Sequence, residues 1–197
     1  MKRFLQMIAL LGFSAITLQL TGCAEAVVGG AVTGATVVHD RRSAGTVLDD
    51  QIIEFKAVDR LLSDKEIYER SHINVTSYNK EILLTGEAPT EELRARIYDR
   101  LVGIQEVTRI HNEISIAAPS SLLSRSSDVW ITAKSKAAMF SIKSIENFDP
   151  TRVKVITEKG TVYLLGLVNR PEADAVTDAV RKVDGVQRVV KIFQYVN

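Results

Sequence analysis

Cys23 is the residue of this chain whose surroundings define its chemistry most sharply. It is the only cysteine among 197 residues, and it follows Leu20, Thr21 and Gly22 at the end of an apolar N-terminal stretch. A single thiol forms no intramolecular disulfide and supplies no multi-cysteine metal site. The chemistry left to it is that of one sulfur near the N-terminus, for which acylation is the interpretation that we favour.

The other residue types that carry out catalysis show no catalytic spacing. The histidines are His39, His72 and His111, far apart in sequence and without a neighbouring metal ligand. The serine-rich run at 120–127 has the composition of a linker, and no glycine-rich phosphate loop follows a predicted strand. Glu91 and Glu92 open a predicted helix, where the helix dipole accounts for them. We therefore expect neither an enzyme nor a metal or other cofactor.

The N-terminal segment has the parts of a secretory signal over residues 1–22. Lys2 and Arg3 precede an apolar run from 4 to 20, and that run is short of the about 20 residues preferred by a membrane span. The order Leu-Thr-Gly-Cys resembles the lipobox of bacterial lipoproteins, which implies that Cys23 becomes the first mature residue and carries acyl chains such as palmitate. The alternative is a plain transmembrane anchor with an incidental cysteine. Because Ala24 rather than aspartate follows, the resemblance implies the periplasmic face of the outer membrane.

Composition bounds the remaining chain. Two of the 25 basic residues lie in the signal. The rest of the chain therefore has 23 basic and 24 acidic residues, and its formal net charge is −1. This balance gives no reason to expect a nucleic-acid partner. Residues 23–45 are rich in glycine, alanine and valine and are predicted to form a flexible lipidated tether. Near its end, Arg41 and Arg42 are predicted either to touch anionic head groups or to be solvated.

The sequence after the tether repeats itself. Residues 73–76 and 82–86 match residues 153–156 and 162–166 at an offset of 80, and the pattern Gly-Ile-Gln-Glu-Val at 103–107 matches Gly-Val-Gln-Arg-Val at an offset of 82. These matches predict two copies of one unit. They occupy residues 46–117 and 127–197, and residues 118–126 are predicted to link them.

Each copy is predicted to have the order αββαβ. The opening helices are expected at about 48–63 and 127–146, and hairpin turns at 79–80 and 159–160. Second helices begin after Thr90 and Asn169 and stop at Gly103 and Gly185. Closing strands are expected at 107–116 and 189–196. We also expect Gly86 and Gly166 to end strands where the chain turns towards the helix. The fold class is α+β, with a small mixed three-stranded sheet packed on two helices in each unit.

These features together resemble the BON domain family. In that family the opening helix carries an aspartate followed by apolar residues at later turns, matched here from Asp50 and from Asp128, although Ser135 departs from the apolar pattern. The Leu-x-Gly strand pattern and the Gly-(Val/Ile)-x-x-Val turn also match. The resemblance implies two tandem BON domains in a non-enzymatic envelope lipoprotein.

Trp130 is the sharpest candidate for a binding residue. At about 100° per residue it lies roughly 120° from the centre of the predicted core stripe of its helix, beside Lys134 and small residues. An indole and an ammonium on one face suit a lipid interface. Interdomain packing and a position at the core edge are the alternatives. The predicted phospholipid-binding residues are Val129, Trp130, Ala133, Lys134, Ala137 and Ser141.

The opening helix of the first unit has a second apolar face, formed by Phe55, Val58 and Leu62, which we expect to pack on the other unit. The family resemblance implies binding of anionic phospholipids (phosphatidylglycerol, cardiolipin) through the first helix of the second BON domain. It also implies maintenance of envelope integrity and recruitment to division sites. The alternative is a periplasmic adaptor that binds an envelope-assembly or cell-wall-remodelling protein through the same helix.

Overall fold

The computed structural model of this protein describes residues 40–196, so Cys23 and most of the tether lie outside the described residues. The first domain contains α1 (Ala44–Leu62), α2 (Lys65–Arg70), β1 (His72–Tyr78), β2 (Glu81–Ala88), α3 (Glu91–Leu101), β3 (Arg109–Asn112) and β4 (Ser115–Ile116). The second contains α4 (Leu122–Phe140), β5 (Val153–Glu158), β6 (Thr161–Val168), α5 (Arg170–Val180) and β7 (Arg188–Tyr195). A short 3₁₀ turn, Pro150–Arg152, precedes β5.

Serine caps shift both opening helices towards the N-terminus relative to the prediction. The Ser43 hydroxyl accepts the N–H of Thr46, and the Ser121 hydroxyl accepts the N–H of Ser124. Helix α4 therefore begins at Leu122. It ends at Phe140 rather than near residue 146, because the chain leaves helical geometry at Ser141 and passes through a positive φ of 57° at Asn147.

Each domain has the predicted mixed sheet. The first hairpin, β1 with β2, and the second, β5 with β6, are antiparallel, whereas β3 and β7 run parallel to β2 and β6. The closing strand of the first domain is not continuous from 107 to 116 as predicted. The Asn112 side chain accepts the N–H of Ile114, and this turn divides the strand into β3 and β4, which both pair with β2. The first sheet thus has four strands and the second three.

Gly86 and Gly166 do not end strands. Each lies inside its strand and pairs with a residue of the neighbouring one, Ile73 and Val153 respectively. A Cβ on Gly86 would stand 1.9 Å from the carbonyl oxygen of His72, and the φ of Gly86 is +113°. Glycine is therefore required there by close backbone approach between β1 and β2 rather than by a turn towards the helix.

The two domains stack through their sheets. Alternate residues of β2 and β6 face their own helices, as Leu84 and Leu164 do, and the intervening ones meet in a third core between the sheets. That interdomain core is formed by Tyr78, Leu83, Tyr163, Leu165 and Ile192. The result is four layers with α1 and α4 on opposite outer surfaces.

This stacking contradicts the predicted role of the second apolar face of α1. Phe55, Val58 and Leu62 are 74%, 41% and 56% exposed, so they do not pack on the second domain. The domains instead use the sheet faces that the helices leave uncovered. Both sides of such a sheet must be buried, and a second sheet covers it more completely than one helix would.

Candidate functional site

Helix α4 presents all six predicted phospholipid-binding residues to solvent. Trp130 is 70% exposed and Val129 is 68% exposed, so Trp130 fills neither the interdomain core nor the edge of its own core. At about 100° per residue the six span an arc of roughly 140° around the helix axis. The members are Val129, Trp130, Ala133, Lys134, Ala137 and Ser141, and each is exposed.

A side chain that the sequence analysis left out extends this surface. Phe140, in the last turn of α4, is 66% exposed and falls within the same arc as Val129 and Ala133. The spacing 129, 133, 137, 140 repeats at helical intervals and could have identified it. We define the α4 face as the six predicted residues together with Phe140.

Two cations border the α4 face. Lys134 lies within it and Lys136 lies beside Phe140, and both are exposed. Neither lysine has a carboxylate partner within residues 40–196, unlike Lys154 and Lys159 of the same domain. The α4 face is thus an apolar strip flanked by two lysines that have no acidic partner among the described residues. Such a surface suits an anionic amphiphile, because the apolar strip can contact its acyl region and the lysines can contact its phosphate.

Asp128 holds α4 so that this face points outward. The buried Asp128 carboxylate accepts the N–H groups of Lys159 and Gly160 in the β5–β6 turn, both at 2.9 Å. One turn later, the Thr132 hydroxyl donates to the hydroxyl of Thr157 at 2.7 Å. Ile131 and Met139 enter the core of the second domain. These contacts fix the rotation of the helix, and Trp130 is left on the outer side.

Arg41 and Arg42 are not simply solvated, because both pair with carboxylates. Arg41 pairs with both oxygens of Glu172, at 2.6 and 2.9 Å. Arg42 pairs with Asp40 and with Asp50, and its guanidinium lies 4.0 Å from the ring centroid of Tyr78. The prediction that the two arginines are simply solvated is therefore wrong, because carboxylates, among them the distant Glu172, bind both guanidinium groups. Contact of Arg41 and Arg42 with anionic head groups stays a prediction.

These pairs determine where the tether joins the folded body. Asp40 and Arg42 line a cleft of about 430 Å³ together with Lys136, Met139 and Phe140 of α4. Asp40, the first residue that the structure describes, therefore lies next to the C-terminal half of α4.

The histidines that the structure describes have structural surroundings. His111 Nε2 lies 2.7 Å from a carboxylate oxygen of Glu81 on the adjacent strand. Burial, together with the nearby charge of Arg125, lowers the pKa of His72 below its usual value. Across residues 40–196 no group of three histidine, cysteine, aspartate or glutamate side chains is placed to hold a metal ion. No helix in that range is both long enough and apolar enough to cross a bilayer.

Family comparison agrees with the two structural units. Residues 49–118 and residues 127–197 each match the BON domain. The chain belongs to the BON-domain family. Its two copies correspond to the two stacked domains, so the repeat predicted from the offsets of 80 and 82 is confirmed.

Similar proteins include one that is named an outer membrane lipoprotein and one that is named a hemolysin. The chain is 35% identical over 181 residues to the outer membrane lipoprotein DolP of Haemophilus influenzae, covering 92% of each chain. It is 37% identical over 157 residues to a 21 kDa hemolysin of Actinobacillus pleuropneumoniae, covering 80% of this chain and 79% of that one. The DolP similarity supports an outer-membrane lipoprotein with BON domains.

One solved structure has a remote likeness to this fold. It is the C-terminal domain of CdsD, a structural protein of the type III secretion system of Chlamydia trachomatis, with 17% identity and a TM-score of 0.29. The aligned part covers 75% of this chain and 67% of that one. Similarity at that level supports no inference about function.

Proposed function

We propose that this protein is a non-enzymatic lipoprotein on the periplasmic face of the outer membrane that binds anionic phospholipid through the α4 face. Through that binding it maintains envelope integrity and is recruited to division sites. The observation that carries the proposal is the 70% exposure of Trp130 on a helix whose rotation is fixed by Asp128. Phosphatidylglycerol and cardiolipin supply the anionic phosphates that Lys134 and Lys136 would meet.

The indole, the apolar side chains and the lysines of the α4 face each make a different contribution to lipid binding. Indole rings favour head-group depth, where the ring is partly desolvated and its N–H keeps a polar partner. Val129, the residue before Trp130, and Phe140, nearly three turns after it, add apolar area, and the lysine stems lie along the same surface. Exposure of large apolar side chains to water is unfavourable in free energy. Burying them at the boundary between the head groups and the acyl chains of a bilayer removes that apolar area from water and stabilises the bound state.

Acylation at Cys23 would make this weak helix contact effective. Sixteen residues lie between Cys23 and Asp40, so Cys23 is at most about 60 Å from the point where the tether joins the body. Because that point lies beside α4, an anchored molecule presents the α4 face to the same membrane at high effective concentration.

Vesicle binding by the chain from Ala24 onward tests the proposal, since this form lacks Cys23 and reports on the helix alone. We expect it to bind vesicles containing phosphatidylglycerol or cardiolipin in preference to vesicles of phosphatidylcholine. Trp130→Glu should weaken that binding about tenfold or more, because a carboxylate at the interface opposes both burial and the anionic surface. Phe55→Glu is the matched control, since Phe55 is 74% exposed on the opposite outer layer.

The charge contribution is tested separately. Lys134→Glu should weaken binding more at low salt than at high salt, because salt screens its attraction to phosphate. Lys182→Glu, an exposed lysine outside the α4 face, serves as its control. A folded Trp130→Glu protein that binds anionic vesicles as well as the parent would refute the α4 face as the lipid site. Loss of binding to an envelope protein in that same variant would favour the adaptor function instead, because that function uses the same helix.

A further inference from the structure

Helix α1 is apolar on two opposite sides, of which one is buried in the first core and the other is exposed. Its inner side enters the first core through Ile53, Ala57 and Leu61. Its outer side exposes a row of large apolar residues at helical spacing: Leu48, Ile52, Phe55, Val58 and Leu62. A helix apolar all round is normally buried on all sides. This row reaches neither the second domain nor any other described element.

The C-terminal end of this row borders a groove between a helix and an edge strand. The groove has a volume of about 250 Å³ and lies between α1, α2 and β1. Its apolar lining comes from Val58, Leu62, Ile67, Tyr68, Ile73 and Val75. Of its nine lining residues only His72 can carry a charge, and burial with Arg125 nearby lowers the pKa of that histidine. At neutral pH the lining is uncharged.

The strand that forms one wall has an open edge. Within residues 40–196, strand β1 pairs with β2 alone, and it lies at the end of its sheet. The backbone N–H of Ser77 donates to a carboxylate oxygen of Glu54 at 2.7 Å, so the backbone N–H and C=O groups of Ser77 point away from β2. Because these groups alternate in direction along an antiparallel strand, the backbone groups of Ile73 and Val75 also point away from β2. Lys154 and Glu54 cover the Ser77 end, and no backbone group of the described residues pairs with the outer edge at Ile73 and Val75.

The second domain contains the equivalent groove, but its lining differs from that of the first groove at two places. Helix α4 and edge strand β5 line it through Met139, Phe140, Val153 and Val155, which correspond in the repeat to Leu61, Leu62, Ile73 and Val75. There, however, Lys136 stands at the position of Val58. In addition, Asp40 and Arg42 of the chain itself form part of the wall. A peptide segment thus borders the groove of the second domain, whereas the described lining of the first groove includes neither such a segment nor a lysine.

We propose that the groove between α1 and β1 binds an extended, uncharged segment of a partner protein, which pairs with the Ile73–Val75 edge and inserts an apolar side chain between Val58 and Tyr68. A helix-flanked edge strand is the arrangement that accepts an added strand, since backbone pairing provides affinity and the pocket provides selectivity. The absence of a cation from the lining disfavours anionic lipid. Under the function proposed above, α1 also faces away from the membrane that α4 contacts.

The test uses the mature lipoprotein in phosphatidylcholine nanodiscs and a capped hexapeptide of alternating threonine and leucine as the probe. We expect saturable binding by fluorescence anisotropy and slower hydrogen exchange over residues 71–76. Val58→Lys, which copies the residue of the second domain, should weaken binding about tenfold. Leu62→Lys is a second variant with the same expectation. Phe55→Lys is the matched control, because Phe55 lies on the same helix outside the groove and should leave binding unchanged.

Backbone pairing is tested with the peptide itself. The same hexapeptide N-methylated at its central leucine loses one strand hydrogen bond and should bind about tenfold more weakly. Equal binding of both peptides, or equal loss in Val58→Lys and Phe55→Lys, would overturn the proposal. Two other results would also overturn it by assigning a different occupant: self-association of the lipoprotein that Val58→Lys abolishes, or anionic-vesicle binding that Val58→Lys abolishes. Neither result depends on Trp130, so the two proposals can fail independently.

Discussion

Arg41 and Glu172 form a two-bond ion pair that joins the end of the tether to the second domain across 131 positions of sequence. The Glu172 carboxylate is 3% exposed, and the Arg41 guanidinium is 28% exposed. The next residue, Arg42, pairs with Asp50 of the first domain. Two consecutive arginines therefore connect the tether to both domains at the place where their sheets meet.

Removing Arg41 should destabilise the protein. Arg41→Ala leaves the buried Glu172 carboxylate with the Asn169 N–H and a longer contact to Arg152, so we expect a loss of about 1–3 kcal/mol in the free energy of unfolding. Urea denaturation provides the measurement. Arg181→Ala is the control, since its pair with Asp178 is largely exposed and should change stability by less than about 0.5 kcal/mol. Equal effects in the two variants would contradict the role of the pair.

The same pair predicts a pH dependence. Burial by itself raises the pKa of Glu172, but the hydrogen bond from Arg41 and the nearby positive charges outweigh it, so the pKa of Glu172 in the folded protein lies below the usual 4.5. The pair therefore contributes its full stability above about pH 4.5, and this contribution is lost as the pH falls through the lower folded-state pKa. Below that range we expect Arg41→Ala and the parent to converge in stability, which unfolding at several pH values will reveal.

Asp128→Ala should destabilise the second domain and loosen the attachment of α4 to the β5–β6 turn. Two turn N–H groups, of Lys159 and Gly160, lose their acceptor, and we expect a loss of about 2–3 kcal/mol. Thermal unfolding measures this, with Asp184→Ala as the control at an exposed position. Because Asp128 also fixes the rotation of α4, phospholipid binding should weaken at temperatures where the variant is still folded. Unchanged unfolding would show that the turn bonds contribute little.

Ser135→Ala should stabilise the protein. Ser135 is fully buried in the second core, and its hydroxyl has no hydrogen-bond partner among the described residues. The equivalent position of the first domain is Ala57, which is likewise buried. Removing an unpaired buried hydroxyl should add about 1 kcal/mol, visible as a raised melting temperature. Ser144→Ala, at an exposed position, should leave the melting temperature unchanged. A destabilised Ser135→Ala protein would indicate a hidden partner for the hydroxyl.

Cys23→Ala tests the anchor, which lies outside the described residues. We expect the variant to be found in the periplasm or to remain an unprocessed precursor, because the acylated sulfur is missing. Cell fractionation with salt washing measures this. A processed Cys23→Ala protein that stays in the outer-membrane fraction after the wash would show that something other than the acyl chains holds it there.

The sequence by itself determined the repeat, the outward position of Trp130 and the αββαβ order of each unit, except for the short helix α2 and the division of the first closing strand into β3 and β4. Each of these depends on local periodicity: alternation in the strands, helical spacing from Asp128 to Met139, and turn residues such as Asn79 and Lys80, which both adopt positive φ. Helix ends were less accurate, because the capping serines at 43 and 121 act through single side-chain hydrogen bonds that periodicity does not reveal.

Only the tertiary structure decided how the domains meet and where the arginines bind. The second apolar face of α1 suggested a helix-mediated interface, but burial of both sides of each sheet brings Tyr78 against Tyr163 and Leu165 instead. Arg41 pairs with Glu172 across 131 positions of sequence, and Lys154 pairs with Glu54 across 100 positions. Such pairs form because two folded surfaces complement each other in three dimensions. No spacing along the chain records that complementarity, so the exposed groove beside β1 could be found only after folding.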